Sequence, residues 1–474
     1  MNAIASRSFY ALLVCFFSVS CFSQSFQQNT YLSPNRPGDV FVADLNHDGK
    51  PDIVTTQFTS NMVTVFLNHG DGTFSSGGSG TYLIGGPSAQ RLLIADLNHD
   101  GIPDIAAATC NQSGGASVVS VLFGNGDGTF QPHIDYSISG CITGFGTIKV
   151  AKDTSSSIIA ASEQPQINLL RNDGSGAFHL QIITTAANMS GVSAADYNHD
   201  GIADIAAIEV AAPNRVVVFP GNASGGFGAP QTIATAASNV GYFAANTVDF
   251  TGDGVGDLLV PWNSSGAVRA GVTALANNGV GKFSPTTLNA ASSYFLTGFR
   301  AAEADFTKGG VHGIALPVSG SGVPDAIAYF PARGVGGWDA PIYLPMGQNS
   351  APQSVSVADF NGDGLPDLAV VTQSDNTLHV FINDSCPLFP SRGMGVCSPF
   401  GTVSSPVIIS ASTNGGNTRI TGMKAYINGK EVASSGNNML NASIPEPPGS
   451  YTVTINAWDA TGQLFQTIDH VTVH

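Results

Sequence analysis

The stretch DLNHDGKPDIV, from Asp44 to Val54, decides the fold because the chain repeats it. Closely matching copies begin at Asp96, Asp196, Asp249 and Asp359. Degenerate copies begin at Asp305 and at Lys152, where the loop is three residues shorter. The seven starting points are 44 to 56 residues apart, a spacing typical of the four-stranded blades of a β-propeller.

Strand-like sequence surrounds each copy. Val40–Ala43 precedes the first loop, Ile53–Thr56 follows it, and the alternating segment Val63–Leu67 comes next. A glycine-rich turn then leads to an aromatic residue, after which we expect a fourth strand. These aromatic residues are Phe74, Phe130, Phe178, Phe227, Phe283 and Trp338.

The seventh copy lacks a fourth strand, because Asn383 runs directly into Asp384 and Cys386. Phe26–Leu32 resembles the fourth strands, and Phe26 lies 48 residues before Phe74. Adding this segment to the last three strands would close the ring and cover its edges. We therefore predict an all-β fold, with a seven-bladed β-propeller over residues 24–384 whose N-terminal strand closes the last blade.

Composition agrees with closely spaced turns and limits the class of partner. Of 474 residues, 56 are Gly and 26 are Pro, and 11% are charged, against about 25% in an average soluble protein. Lys and Arg number 17 against 33 Asp and Glu, which gives a formal charge of −16. This excess of acidic residues disfavours binding to nucleic acid or to anionic lipid.

The N-terminus has the pattern of a secretory signal peptide over residues 1–23. Arg7 precedes the apolar run Phe9–Phe22, and small residues permit cleavage before Gln24. The alternative is a lipid anchor at Cys21, although Ser18 replaces the branched apolar residue usual in lipoprotein signals. No later segment has 18 uninterrupted apolar residues. We expect a secreted or cell-surface protein without a transmembrane segment in its mature chain.

Four cysteines follow the signal, and an even number in an exported chain fits two disulfides. Three connectivities are possible. Closeness in sequence favours Cys110–Cys141 and Cys386–Cys397, and four unpaired thiols are the alternative.

The repeats resemble the FG-GAP, or VCBS-type, repeats of the integrin α-subunit head and of many secreted bacterial proteins. The resemblance rests on the DxNxDGxxD loops and the G-x-G-x-F turns, and it covers about three quarters of the chain. It implies a seven-bladed propeller that binds calcium. It implies no particular ligand, because members of the family differ widely in what they bind.

The loop chemistry predicts calcium independently of the family. Ca²⁺ takes six to eight oxygen ligands, and a loop with side-chain oxygens at positions 1, 3, 5 and 9 and a carbonyl at position 7 can surround one ion. Gly at position 6 permits the sharp turn. We predict about five Ca²⁺ ions, the alternative being metal-free Asp-Gly turns. The predicted ligands are Asp44, Asn46, Asp48, Lys50 and Asp52; Asp96, Asn98, Asp100, Ile102 and Asp104; Asp196, Asn198, Asp200, Ile202 and Asp204; Asp249, Thr251, Asp253, Val255 and Asp257; and Asp359, Asn361, Asp363, Leu365 and Asp367.

Two loops depart from this pattern, and we predict no metal in either. Lys152 replaces the first Asp in the shortened third loop. In the sixth, Gly309 and Gly313 replace two carboxylates and Lys308 adds a cation. The five complete sites would hold 15 of the 33 acidic residues, so the acidity indicates internal metal sites rather than a basic partner.

Residues 402–474 indicate a second domain, a small immunoglobulin-like β-sandwich. Short strand-like segments alternate with turns, and Asn428-Gly429 is a strong hairpin signal. The run PGSYTVTINAWDATG, from Pro448 to Gly462, resembles bacterial immunoglobulin-like modules, and Trp458 is expected in the core. Residues 385–401 are expected to form a connector.

The sequence contains no HExxH, G-x-S-x-G or P-loop motif, so no catalytic residue is predicted. His47, His99 and His199 recur at loop position 4, which favours an inherited loop residue over a general base. We predict an exported, calcium-stabilised recognition module for adhesion or extracellular binding of a protein or glycan. A polysaccharide lyase or hydrolase on the same scaffold, and a lectin with sugar pockets between blades, are the alternatives.

Overall fold

The computed structural model describes residues 26–33, 35–75, 80–111, 115–307, 310–383, 394–397, 401–403, 407–413, 420–436, 439–444, 446–460 and 464–473. Every regular element within these ranges is a β-strand. None of the described residues belongs to a helix long and apolar enough to cross a membrane. The predicted signal peptide with Cys21, the residue Cys386, and Lys308 with Gly309 lie outside the described residues.

Seven four-stranded antiparallel arrangements, here called sheets 1 to 7, account for the described residues up to Asn383. Sheet 1 contains β2 (Pro37–Ala43), β3 (Asp52–Gln57), β4 (Met62–Phe66) and β5 (Gly80–Leu83). Sheet 2 contains β6 (Ala89–Ala95), β7 (Asp104–Thr109), β8 (Ser117–Leu122) and β9 (Ile134–Ile138). Sheet 3 contains β10 (Ile142–Ile148), β11 (Ser157–Ser162), β12 (Gln166–Asn172) and β13 (Phe178–Thr184). Sheet 4 contains β14 (Met189–Ala195), β15 (Asp204–Glu209), β16 (Arg215–Phe219) and β17 (Gln231–Thr235).

The first strand of sheets 5 and 6 is split in two. Sheet 5 contains β18 (Val240–Tyr242), β19 (Asn246–Val248), β20 (Asp257–Ser264), β21 (Ala270–Asn277) and β22 (Phe283–Asn289). Sheet 6 contains β23 (Tyr294–Phe295), β24 (Ala302–Ala304), β25 (Gly313–Gly320), β26 (Asp325–Phe330) and β29 (Ile342–Gly347), with the hairpin β27 (Ala332–Gly334) and β28 (Gly337–Trp338) beside it. The break lies opposite Pro261 of β20 in sheet 5 and opposite Pro317 of β25 in sheet 6. It occurs there because proline has no N–H to donate to the first strand.

Sheet 7 joins the two ends of this region, as predicted. It contains β30 (Pro352–Ala358), β31 (Asp367–Thr372), β32 (Thr377–Asn383) and β1 (Phe26–Leu32). β1 runs antiparallel to β32, with Phe26 opposite Asn383 and Leu32 opposite Thr377. The N-terminal strand therefore supplies the fourth strand that the last copy of the repeat lacks.

The hydrophobic core is divided among the spaces between successive sheets. Buried residues of each sheet pack against those of the next, and one such cluster joins sheet 1 to sheet 7 through Ile53, Phe74 and Val371. The second strands lie between two such layers, and in β3 all six residues are buried. This arrangement confirms the predicted all-β propeller architecture.

The disulfide Cys110–Cys141 is formed, as predicted, with a Cα–Cα distance of 4.4 Å. Cys110 follows β7 of sheet 2 and Cys141 precedes β10 of sheet 3. The bridge therefore ties two neighbouring sheets together. The pairing of Cys386 with Cys397 stays a prediction.

The remaining strands form two further sheets. One contains β33 (Met394–Cys397), β35 (Val407–Thr413) and β38 (Met439–Ile444). The other contains β34 (Gly401–Val403), β36 (Ile420–Ile427), β37 (Lys430–Ser435), β39 (Gly449–Asp459) and β40 (Leu464–Val473). Strands follow one another through residues 402–474 as the alternating segments predicted, whereas β33 lies within residues 385–401, which we expected to form a connector. Trp458 is half-buried and does not belong to the core formed by Met423, Val453 and Ile455, so its predicted core position is wrong.

Candidate metal centres

Each complete loop leads from the first strand of a sheet to its second strand, and its last aspartate is buried. Asp52, at the start of β3, accepts hydrogen bonds from the backbone N–H groups of Leu45 (3.0 Å) and Asn68 (2.8 Å). The first donor belongs to the loop and the second follows the third strand. The same carboxylate therefore fixes two separate parts of its sheet. The equivalent aspartates, all at most 1% exposed, are Asp104, Asp204, Asp257 and Asp367.

The other loop oxygens face the loop backbone. Asp44 accepts hydrogen bonds from the N–H groups of Asp48 (3.1 Å) and Gly49 (2.9 Å). The amide oxygen of Asn46 accepts from Asp48, and Asp48 accepts from Lys50. The chain is thus curled around its own side-chain oxygens, and the loops that begin at Asp96, Asp196 and Asp359 repeat this pattern.

Backbone conformation explains two of the repeated residue types. Gly at position 6 has a positive φ in all five complete loops, for example +81° at Gly49. The residue at position 4 also has a positive φ: +57° at His47, +67° at His99 and +60° at His199. In the fifth and seventh loops, this position holds Gly252 and Gly362. Position 4 therefore selects residues that tolerate a left-handed backbone.

Burial strongly affects the last carboxylate of each loop. It raises the pKa of Asp52 and of Asp104 to about 6 and that of Asp367 to about 8, and backbone hydrogen bonds oppose this rise. The carboxylates at positions 5 and 1 raise these pKa values further. Burial also raises the pKa of Asp204 and Asp257. A cation at this place would relieve both the desolvation and the repulsion.

The donor set of the loops suits a hard cation. Among the described residues, no group of three or more His, Cys, Asp and Glu side chains is arranged to hold a metal ion. The loops do offer carboxylate, amide and carbonyl oxygens together, and these are the ligands Ca²⁺ prefers. In the fifth loop, position 3 is Thr251 instead of asparagine, and its hydroxyl donates to Asp257 (3.0 Å). This loop therefore has the least complete set of oxygen ligands among the five.

The third loop has a different chemistry. Ser157 stands where the five complete loops have their last aspartate, and its Oγ accepts the N–H of Asn172 (3.0 Å) as those carboxylates do. Arg171 donates through Nε and Nη2 to both oxygens of Asp153, at 2.9 and 2.7 Å. The loop that begins at Lys152 therefore has a guanidinium group from its own chain beside its carboxylate.

The sixth loop keeps only part of the oxygen set. Asp305 accepts hydrogen bonds from the backbone and hydroxyl of Thr307 and from the N–H of Gly310. Gly313 supplies no side chain at the last position. Beside the loop, the Nδ1 of His312 contacts Glu303, and burial raises the pKa of that carboxyl.

Sequence reasoning missed four asparagines, each of which joins its own sheet to a loop of the neighbouring sheet. Asn68 donates from Nδ2 to the carbonyl of Phe360 (3.0 Å), which is position 2 of the loop in sheet 7. A signal for three of them was available in the sequence, because Asn68, Asn172 and Asn277 each lie directly before a glycine-rich turn. The equivalent bonds join Asn172 to Leu97, Asn277 to Tyr197 and Asn383 to Phe306.

The aromatic residues after the glycine-rich turns have a packing role. Phe74 is buried and packs edge-to-face on Tyr31 and on Phe360. Phe130 packs in the same way on Tyr82. These contacts join one sheet to the next. The aromatic residue repeated after each glycine-rich turn therefore indicates packing between sheets.

Family models match the loops. An FG-GAP-like repeat matches residues 44–107 and 155–207, and an FG-GAP repeat matches residues 351–381. The chain carries FG-GAP repeats. These FG-GAP matches contain the loops that begin at Asp44, Asp96, Asp196 and Asp359, which are the four loops with a full oxygen set in the sequence.

Three solved structures that match the chain share little of its sequence. BBS1N, solved in complex with ARL6DN and soaked with lead, is 12% identical, with a TM-score of 0.46 over 74% of this chain and 92% of that one. The extracellular domains assigned to a one-component and a hybrid two-component system of B. thetaiotaomicron are 8% and 9% identical, with TM-scores of 0.43 and 0.42. Those two alignments cover 95% of this chain and 59% of the other. No curated protein matches.

Proposed function

We propose that this FG-GAP protein is an exported recognition module, stabilised by calcium, that binds an extracellular protein or glycan non-covalently. The observation that carries the proposal is the buried aspartate repeated at the end of five loops. Each contributes a desolvated carboxylate next to further loop carboxylates, an arrangement that costs stability without a counter-ion. The disulfide Cys110–Cys141 supports export, because such bridges persist in oxidising compartments.

Calcium would act as a structural link within each sheet. Position 1 directly follows the first strand and position 9 begins the second, so an ion between them would hold the two strands together at one end. Asp44, Asn46 and Asp48, the Lys50 carbonyl and Asp52 would hold the first ion, and the equivalent residues the other four. In the third loop Arg171 supplies a fixed positive charge instead.

Recognition would use the opposite ends of the first strands. Asp39 lies near the start of β2, whereas Asp44 follows its end, and five residues of strand span roughly 16 Å. The strand ends near Asp39 carry no predicted metal loop, so a partner could bind on that side of the sheets. We propose residues 24–384 as the recognition domain and residues 402–474 as an immunoglobulin-like module joined to it.

Calcium titration of the metal-free full chain tests the proposal. We expect about five bound ions and a rise in the melting temperature, since a ligand that binds the folded state at a hundredfold excess over Kd adds about 2.7 kcal/mol per site. Fewer than three ions, together with a melting curve that EDTA leaves unchanged, would overturn the calcium part. A screen of glycans and matrix proteins, with and without calcium, then tests recognition.

A further inference from the structure

A cavity of about 40 Å³ lies where the first strands of the sheets converge. Every one of the seven sheets contributes to its lining, through a first strand or the segment beside it. Its charged lining residues are Asp39, Arg91 and Arg300. The calcium-type loops lie at the other ends of these strands, so the cavity is a separate site.

Arg91 is held rigidly at this cavity. The residue is 8% exposed, and its guanidinium group lies 3.9 Å from the ring centre of Phe299. Nε donates to the carbonyl of Thr143 (3.0 Å) and Nη1 to that of Gln90 (3.3 Å). Nη2 makes no hydrogen bond to any of the described residues. Burial lowers the pKa of Arg91 to about 10, so the group is still charged at neutral pH.

Arg300 brings a second cation to the same cavity. Its guanidinium group lies 4.1 Å from the ring centre of Phe41, and its Nη2 lies 3.8 Å from a carboxylate oxygen of Asp39. This side chain is 23% exposed, so solvent reaches the cavity beside it.

Asp39 does not neutralise both arginines. Its carboxylate accepts hydrogen bonds from the hydroxyl of Ser354 (2.6 Å) and from the N–H groups of Val40 and Leu92. Two guanidinium groups and one carboxylate leave an excess of one positive charge, in a protein whose formal charge is −16. Buried charge without a partner is costly, and an anion of charge −1 would remove the imbalance.

We propose that this cavity binds a single carboxylate group, with Arg91 and Arg300 as its donors. Arginine presents paired N–H groups that match the two oxygens of a carboxylate. The size agrees with a small group, because one water needs about 10–15 Å³ of such a cavity and this cavity measures about 40 Å³.

A carboxylate of this kind occurs both in a small organic acid and at the C-terminus of a peptide, and two arms of one experiment separate these sources. Calorimetric titration of the full chain with acetate is the first arm, and titration with a short peptide carrying a free or an amidated C-terminus is the second. Binding of acetate at one site per chain supports a small acid. Binding of the free-acid peptide alone assigns the cavity to a peptide terminus. Calcium and EDTA buffers should give the same result, which separates this proposal from the calcium proposal.

Variants locate the site. Arg300→Gln should weaken binding about tenfold or more, and Arg91→Gln should do the same if it folds. Arg333→Gln makes the same change of charge at a residue that is 76% exposed, and should bind as the unmodified chain does. The proposal is overturned if neither probe binds saturably, if sulfate binds more tightly than acetate, or if Arg300→Gln leaves the affinity unchanged.

Discussion

Arg171 and Asp153 form a two-pronged ion pair in the one described loop whose first position holds a lysine. The two contacts, at 2.9 and 2.7 Å, satisfy both carboxylate oxygens of Asp153. The pair is partly exposed, with 33% of the arginine side chain and 13% of the aspartate side chain accessible. Because Arg171 belongs to the chain, the third loop has a positive charge that cannot dissociate as a bound metal ion can.

Breaking this pair should destabilise sheet 3 without affecting calcium. We expect Arg171→Met and Asp153→Asn each to lower the free energy of unfolding by about 1 kcal/mol, since the pair is partly exposed and screened by solvent. The double variant should lose less than the sum of the two, and denaturant titration measures all three. Strict additivity would mean that the pair contributes nothing of its own.

Loss of a loop carboxylate should remove one calcium ion. Asp100→Ala deletes the position-5 oxygen that also accepts the N–H of Ile102 (2.8 Å). Calorimetry should then count about one ion fewer than in the unmodified chain. Ser156→Ala, in the third loop, is the matched control and should leave the number unchanged. Equal losses in both variants would contradict the assignment of metal-binding and metal-free loops.

The asparagines between sheets should matter more than those on the surface. Asn277 is 3% exposed and donates to the carbonyls of Tyr197 (2.8 Å) and Gly256 (3.1 Å). Asn277→Ala leaves these buried acceptors without a donor, which costs about 1–3 kcal/mol. Asn278→Ala, at the neighbouring exposed position, should cost clearly less in the same thermal or denaturant measurement. A larger effect at Asn278 would show that the turn, rather than the inter-sheet bond, is the important feature.

Deleting Phe26–Leu32 should destabilise the whole ring. The deletion removes the outer strand of sheet 7 and exposes the edge of β32, which promotes aggregation. We expect faster proteolysis and a lower melting temperature. A synthetic peptide with the deleted sequence should restore part of the stability, and a scrambled peptide should not. Native stability in the truncated protein would contradict the closure described here.

Mild acid should weaken the docking of β1 through His379. Its Nδ1 faces the amide of Gln28 (2.5 Å), its Nε2 lies 2.9 Å from the hydroxyl of Thr372, and Asp375 is 3.9 Å away. Burial lowers the pKa of His379 below 6.5, and the carboxylate of Asp375 opposes this shift only in part. The folded state therefore binds fewer protons than the unfolded state, and its stability is full above pH 6.5 and falls as the pH decreases through the lowered pKa.

A comparison of variants separates the contribution of His379 to the pH dependence of stability from that of the other titrating groups. Between pH 7 and pH 5, the free energy of unfolding should fall less steeply in His379→Gln than in the unmodified chain, as measured by urea titration at each pH. Identical slopes would show that His379 does not contribute.

The sequence predicted the loops and most strands because each repeat carries the same local signals at the same spacing. It did not predict the split first strands of sheets 5 and 6, because Pro261 and Pro317 act on a partner strand that is distant in sequence. The cation of the third loop was missed for a similar reason, since Arg171 lies 18 residues from Asp153. The charged cavity depends on Asp39, Arg91 and Arg300, which belong to three different repeats and share no motif.

The pairing of β1 with β32 also sets the order of events during folding. The amide of Gln28 and the ring of His379 are 351 residues apart in the chain. A ribosome adds about 5–20 residues per second, so the first strand waits for tens of seconds before its partner exists. Sheet 7 therefore cannot close until the other six sheets have been synthesised, and until then β1 presents an unpaired edge that other chains could pair with.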